Sequence, residues 1–281
     1  MIAGAVVLYN SGLRPLDSID RYIDALDRLY VIDNSDQWDI GLYSELEKRS
    51  KIKLYESKGN NGIAAALNVA ANAAIKDGYE WLLLMDQDSY FDFKELTKYK
   101  NRIYENRDRR IALFTPSIIQ GLDKGGGYKS DTYPPEVITS GSVICLQIFR
   151  KIGGFREDYF IYVVDYEYCW RLRYNGYKIY KFGDIRMHHQ VDDYKKDGTD
   201  AKHMFCIREM SDSAFYYAFR NTCYLLAEYR TKLPEDVVRR GMAFIRTWTG
   251  HALRSKHFFR KMKYGFRGIH DYHYNITGKM K

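Results

Sequence analysis

The chain has 281 residues, 46% of them hydrophobic, which is enough apolar content for a full core and excludes a disordered polypeptide. Its formal net charge of +8 is local: from residue 251 onward eight Lys and Arg stand against one acid, Asp271, and the remainder is close to neutral. Cys145, Cys169, Cys206 and Cys223 show no C-x-x-C spacing, which argues against a zinc module or disulfide scaffold, and no apolar run reaches the roughly 18 residues of a membrane span.

Residues 2–9 form a continuous apolar run, too short and too poor in basic flanks for a signal peptide, and read as a first strand buried on both faces. Reduced thiols and a cytoplasmic chain follow as expectations. Ile19, Ile23 and Leu26 are spaced for one face of a helix over 17–29, and "LYVID" (29–33) reads as a second strand ending in turn-forming Asn34, Ser35 and Asp36. A helix over 43–49, a strand over 52–55, an Ala-rich helix opened by Asn61-Gly62 and a strand over 81–85 follow. This alternation predicts an α/β fold with a mostly parallel sheet flanked by helices. Further on, the pattern gives a helix over 92–107, a strand over 111–119 and a Gly-rich loop over 121–130. A strand over 136–146 is broken at Ser140-Gly141, a Gly-Gly turn lies within 149–158, and a helix covers 164–174. A strand over 179–182 precedes His188-His189, and aromatic-rich helix runs from 215 to about 259. The plausible boundary lies near residue 200, between a catalytic part (1–200) and a helical, basic, aromatic extension (201–281) packed on it.

In parallel sheets the ligand crevice lies at the carboxyl ends of the strands. Asn10, Asp33 and Asp86 each fall just past such an end. In "WLLLMDQDSYF" a buried strand runs into Asp86-Gln87-Asp88, and carboxylates at i and i+2 of a turn suit a hard divalent cation, although turn capping produces the same pattern. Asp165 and Glu167 read either as surface acids of an amphipathic helix paired to Arg171, or as a general base held among Phe160, Tyr162, Val163 and Tyr166. His188-His189 offers a metal ligand or a structural histidine, and Arg220-Asn221 a helix face or a phosphate contact. "KGNNGIAAALN" lacks both the Walker lysine and a complete G-x-G-x-x-G. Asn275-Ile276-Thr277 matches a glycosylation acceptor by chance in a chain without a secretory signal.

Set in order, Asn10, "VIDNSD", "NNGIAAALN", "MDQDSYF", "TSGS", "IGGF", "FIYVVDYEYCWRL" and "MHHQVDD" resemble the family-2 inverting glycosyltransferases of GT-A (Rossmann-like) fold. Within them the chain is most similar to bacterial rhamnosyltransferases of surface-polysaccharide synthesis, over residues 1–230. The resemblance implies that Asp33 bonds the nucleotide base, with Tyr9 and Asn10 in the same pocket and Asn61 and Gly62 bordering base and ribose. It implies Asp86 on the ribose or metal water, Asp88 and His189 on Mg²⁺ or Mn²⁺, Asp165 as general base with Glu167 as the second acid of that signature, and Arg220-Asn221 as a recurring pair. Family members often carry Gly shortly after the late His, where this chain has Asp192.

The implied donor is a nucleotide-diphospho-sugar, dTDP-rhamnose favoured over a UDP-hexose, and the acceptor a saccharide or a polyprenyl-diphosphate-linked one. Phe258, Phe259, Tyr264 and Phe266, interleaved with basic residues, read as a contact for an anionic membrane surface or the acceptor's diphosphate, or as a solvated helix end. A nucleotidyltransferase is disfavoured because "YNSGLRPLDS" stands where its Gly-rich basic loop belongs, and a nucleic-acid partner because the near-neutral body offers no phosphate track.

Overall fold

The computed structural model describes residues 1–120, 130–189 and 210–281. Eight strands among them form one sheet. They are β1 (Ile2–Leu8), β2 (Leu29–Asp33), β3 (Ile52–Glu56), β4 (Trp81–Asp86), β5 (Ser89–Tyr90), β6 (Ile111–Gln120), β7 (Val143–Cys145) and β8 (Lys178–His189), in the order β3-β2-β1-β4-β7-β6-β8-β5. The helices beside it are α1 (Pro15–Tyr22), α2 (Ile40–Glu47), α3 (Ile63–Lys76), α4 (Phe93–Glu105), α5 (Leu146–Ile152) and α6 (Val164–Tyr174). Strands β3, β2, β1 and β4 are parallel, as is β6 with β8; β7 runs antiparallel to β4 and β6, and β5 antiparallel to β8. The sheet is therefore mixed. Its core gathers Ile2, Val6 and Leu8 with Val31, Leu83, Met85 and Phe114, all buried, which is why these strands read as unbroken apolar runs.

The parallel register fixes the rim. Asp33 pairs with Leu8 and Asp86 with Val7, so two acids separated by 53 positions end one residue apart along β1. Strand β5 does something the sequence pattern did not indicate. Only two residues after β4, it pairs with β8 at the far end of the strand order, with Ser89 opposite His189 and Tyr90 opposite His188. The sheet thus curls until its last strand returns to the carboxyl end of β4.

Some expected elements differ, and the helix expected over 17–29 ends at Tyr22, followed by a short 3-10 turn over Ile23–Ala25. The strand expected over 136–146 is confined to Val143–Cys145, and Leu146–Ile152 is helical. The strand expected over 179–182 extends through His189, so both histidines lie within it. The Gly-Gly of "IGGF" follows α5 for two reasons. Gly153 ends the helix at φ 92°, and a Cβ on Gly154 would lie 2.6 Å from Asn68 Oδ1, which accepts the Phe155 N–H at 2.8 Å. The Gly-rich loop (121–129), Asp192, Cys206 and the boundary near 200 fall outside the described residues. Cys145, Cys169 and Cys223 are free thiols, and burial pushes the Cys169 thiol well up.

A second compact unit comprises residues 158–164 and 210–281, the rest of the described chain forming the first. Its helices are α7 (Asp212–Tyr229), α8 (Pro234–Arg254) and α9 (Phe258–His273), where the pattern suggested one helical stretch. Ser211 caps α7 by accepting the Ala214 N–H at 3.1 Å, and Pro234 begins α8 where a missing N–H costs nothing. Helix α9 lies close on α7: a Cβ on Gly268 would sit 2.4 Å from the Tyr216 carbonyl oxygen, and one on Gly265 3.1 Å from the Phe219 ring. Among the described residues no helix is long and apolar enough to cross a membrane.

Candidate active site at the carboxyl ends of the strands

Why does Gln stand between Asp86 and Asp88? The Tyr9 backbone N–H donates to Gln87 Oε1 at 2.8 Å, and Gln87 Nε2 reaches back to the Tyr9 carbonyl at 3.5 Å. The middle residue of the triplet thereby clips the end of β4 to the end of β1. The flanking carboxylates lie beside β8. One ligand atom each from Asp86, Asp88 and His189 lie within 4.8 Å of one another. His189 Nδ1 is 3.7 Å from Asp88 Oδ1, whereas His188 stacks on Tyr90 at 4.7 Å and directs Nε2 toward Asp92. Of the adjacent histidines, His189 is the one beside the two carboxylates.

Beneath this group lies a buried hydroxyl pair that sequence reasoning missed. Ser140 Oγ donates to Ser89 Oγ at 2.9 Å and accepts the Asp86 N–H at 3.3 Å, while Ser89 Oγ is 2.6 Å from His189 Nδ1. Both serines are fully buried. With the imidazole N–H at Nδ1 donating to Ser89, the other ring nitrogen keeps its lone pair for a cation. Burial, and then the charge of Asp88, raise the Asp86 carboxyl to about 6, against the opposing influence of His189 and Ser140. A carboxylate that resists ionisation beside another is relieved by a bound cation. Two carboxylates and one imidazole also form a donor set suited to a divalent cation, the carboxylates suiting Mg²⁺ or Mn²⁺ and the imidazole the less oxygen-restricted Mn²⁺.

The nucleotide side is built by loop-to-loop bonds. Asp33, nearly buried, accepts the Ser35 N–H at 3.0 Å, and Ser35 Oγ accepts the Asn10 N–H at 2.9 Å. Asn10 adopts φ 46°, a left-handed conformation that Asn tolerates. Asn10 and Asp33 line a cavity of about 500 Å³ with Ser11, Trp38 and Ile40. The Tyr9 hydroxyl donates to Asp36, whose carboxylate also accepts the Asn60 N–H. Asn34 Oδ1 accepts the Asn61 N–H at 3.0 Å, and Asn60 Oδ1 accepts the N–H of Gly62, which enters α3 at φ 87°. Asn34, Asp36 and Asn60 thus organise this rim, and only their turn-forming character hinted at it. A larger cavity of about 950 Å³ opens at the other ends of the strands, beside Trp81 and Ile111, and holds none of the expected site residues.

The two acids of α6 separate sharply. Asp165, in the first turn and partly buried, accepts the Tyr166 N–H at 2.9 Å and lines a small cavity with Leu84, Thr139 and Ser142. Glu167 is fully buried, and both its oxygens receive Arg171, at 3.0 and 2.8 Å. Arg171 in turn donates to the Ile152, Gly153 and Gly154 carbonyls. Glu167 therefore joins α6 to the end of α5, in place of the catalytic position expected for it.

Arg220 requires a correction as well. Expected as a phosphate contact, it is fully buried within the second unit. It donates to the Gly278 carbonyl at 2.8 Å, the Tyr159 carbonyl at 3.2 Å and Asn221 Oδ1 at 3.0 Å. Asn221 Nδ2 adds bonds to the Tyr159, Ile161 and Tyr162 carbonyls at 2.8 to 3.1 Å. These carbonyls belong to a loop in which Phe160, Tyr162 and Val163 all take φ near +65°, an uncommon conformation for bulky side chains. The Arg-Asn pair holds that loop, with Phe160 stacked on Tyr217 at 5.2 Å. Of the four residues expected around Asp165, three are thus spent on this segment.

The curled α/β sheet carries two acids and a histidine at its carboxyl rim, and residues 6–183 match Glycosyl transferase family 2, so the chain belongs to that family. It is a glycosyltransferase. Among curated proteins it is similar to the dTDP-rhamnosyl transferase RfbF of Shigella flexneri, 25% identical over 213 residues, covering 68% of this chain and 70% of that protein. Among solved structures it resembles residues 1–349 of S. aureus TarS, with a TM-score of 0.62 at 15% identity, covering 98% of this chain and 80% of the other. It also resembles GalNAc-T7 solved with UDP, GalNAc and Mn²⁺, with a TM-score of 0.56 at 14% identity, covering 88% of this chain and 54% of the other. These structures establish the GT-A-like fold.

Proposed function

We propose that the chain moves rhamnose from dTDP-rhamnose, with inversion, onto a saccharide acceptor, free or polyprenyl-diphosphate-linked, in bacterial surface-polysaccharide synthesis. The observation that carries this reading is the meeting of Asp86, Asp88 and His189 within 4.8 Å at the rim where the chain also places Asp33 and Asn10. The rhamnosyl donor is supported by the curated relative's name.

In this reading Asp33 accepts a hydrogen bond from the base, Asn10 lines the same pocket, and Tyr9 with Asn61 and Gly62 shapes the rim toward the ribose. Asp86, Asp88 and His189 hold Mg²⁺ or Mn²⁺. When bound, the cation supplies charge neutralisation for the departing nucleoside diphosphate. Asp165 takes the proton of the attacking acceptor hydroxyl from its place in the first turn of α6. Displacement in line with the leaving oxygen inverts the anomeric carbon without a covalent enzyme intermediate. Glu167 and Arg171 keep α6 fixed while this happens.

A transfer screen across dTDP- and UDP-sugars with Mn²⁺, repeated with EDTA, tests the proposal. Turnover of dTDP-rhamnose that EDTA abolishes is the expected result. Turnover confined to a UDP-hexose would overturn the donor assignment, and undiminished activity in EDTA would overturn the metal site.

A further inference from the structure

Helices α8 and α9 leave a set of large apolar side chains facing water. On α8, Val238, Met242, Ile245, Thr249 and Leu253 are exposed and follow at helical spacing, so at about 100° per residue they fall within an arc of roughly 80°. The opposite side of α8 is occupied: Trp248 meets Phe215 edge-on at 4.9 Å, and Phe244 meets Phe219 at 4.9 Å. On α9, Gly265 and Gly268 take the side against α7, which directs Phe259 and Phe266 the other way. Val238, Met242, Ile245, Leu253, Phe259 and Phe266 are each between 60% and 86% exposed. Tyr264, grouped with them by sequence, instead packs against Phe160, Tyr216 and Tyr217.

Charge identifies what fits these two stripes. Residues 234–281 contain eleven Lys and Arg against three acids; exposed Arg239 and Arg246 border the α8 stripe, Lys263 and Arg267 border that of α9, and exposed Arg254 and Lys256 lie where α8 ends. A second copy would bring the same positive charge against itself. A nucleic acid would satisfy the cations but leave six apolar side chains against phosphate and water. A phospholipid surface with anionic headgroups above hydrocarbon matches both features.

We propose that α8 and α9 form a docking surface for an anionic bilayer, with the apolar stripes in the headgroup boundary and the basic residues among the lipid phosphates. The proposal deepens the functional reading, since a polyprenyl-linked acceptor is met at such a surface, but binding itself needs neither cation nor sugar nucleotide.

Flotation of the full chain with phosphatidylcholine vesicles, with and without phosphatidylglycerol, tests it. The protein is expected to float with the anionic vesicles only and to be released by high salt. The combined Met242→Ser, Ile245→Ser, Phe259→Ser and Phe266→Ser variant is expected to bind at least about tenfold more weakly. These side chains already face solvent, so circular dichroism and transfer to a soluble acceptor remain at wild-type levels. Equal flotation on neutral and anionic vesicles, or none on either, overturns the proposal. A concentration-dependent dimer that the same four substitutions dissolve assigns the face to a second copy and also overturns it. Flotation without any sugar transfer would instead remove the catalytic reading and leave the docking surface standing.

Discussion

Replacing Asp86 with Asn should stabilise the cation-free protein while removing its capacity for the cation. In the folded chain this carboxyl is raised from 3.8 to about 6 by burial and by Asp88. A raised acid pKa means that the folded state holds its proton more tightly than the unfolded one, so stability declines as pH climbs from about 4 through 6 and stays low above that. The rise corresponds to about 3 kcal/mol at neutral pH, an upper value that partial exposure reduces to about 1–3 kcal/mol. Asn keeps the shape and discards the charge. In urea denaturation with EDTA at pH 8, Asp86→Asn should be more stable than wild type by that amount, with the gain shrinking below pH 6 and absent near pH 4. Adding Mn²⁺ at a hundred times its dissociation constant should stabilise wild type by about 2.7 kcal/mol and the variant far less. A variant less stable than wild type at pH 8, or a difference that ignores pH, would refute the reasoning.

Asp165→Asn should lower kcat by about 10²- to 10⁴-fold while nucleotide affinity, read by calorimetry, stays unchanged. Ser89→Ala should weaken Mn²⁺ binding by about tenfold in electron paramagnetic resonance titrations, because His189 loses the hydroxyl that fixes its ring. Arg220→Met should lower unfolding free energy by at least about 3 kcal/mol, through unpaired carbonyls at Tyr159 and Gly278, with little change in donor KM wherever folded protein is recovered. Gly268→Ala should cost at least about 2 kcal/mol in denaturant titrations, since its Cβ meets the Tyr216 carbonyl and backbone has no rotamer to yield.

How far was this structure legible in the residues? Strands β1, β2 and β4 and helices α3 and α6 were, because long apolar runs and Ala-rich or amphipathic stretches carry their own signal and because parallel strands buried on both faces leave no alternation to misread. The rim position of Asp33 and Asp86 followed from the strand ends alone. Helix α5 has little signal of its own: its seven residues, Leu146–Ile152, fall between the apolar run read as a strand to residue 146 and the Gly-Gly turn that follows. Strand β5 has no local signal at all, being two residues that are extended because β8 is opposite them. Without that pairing, spacing could not choose between His188 and His189. Arg220 was misread for a related reason: a buried guanidinium implies partners, but composition does not reveal that they are main-chain carbonyls 58 to 62 positions away.

The pairing of Ser89 with His189 also bears on the order of assembly during synthesis. Asp86 and Asp88 leave the ribosome about a hundred residues ahead of the imidazole, and β5 has nothing to extend against until β8 emerges. Cation capture therefore reports closure of the whole sheet, and nascent chains arrested before residue 189 should take up Mn²⁺ weakly while already protecting β1, β2 and β4 from proteolysis.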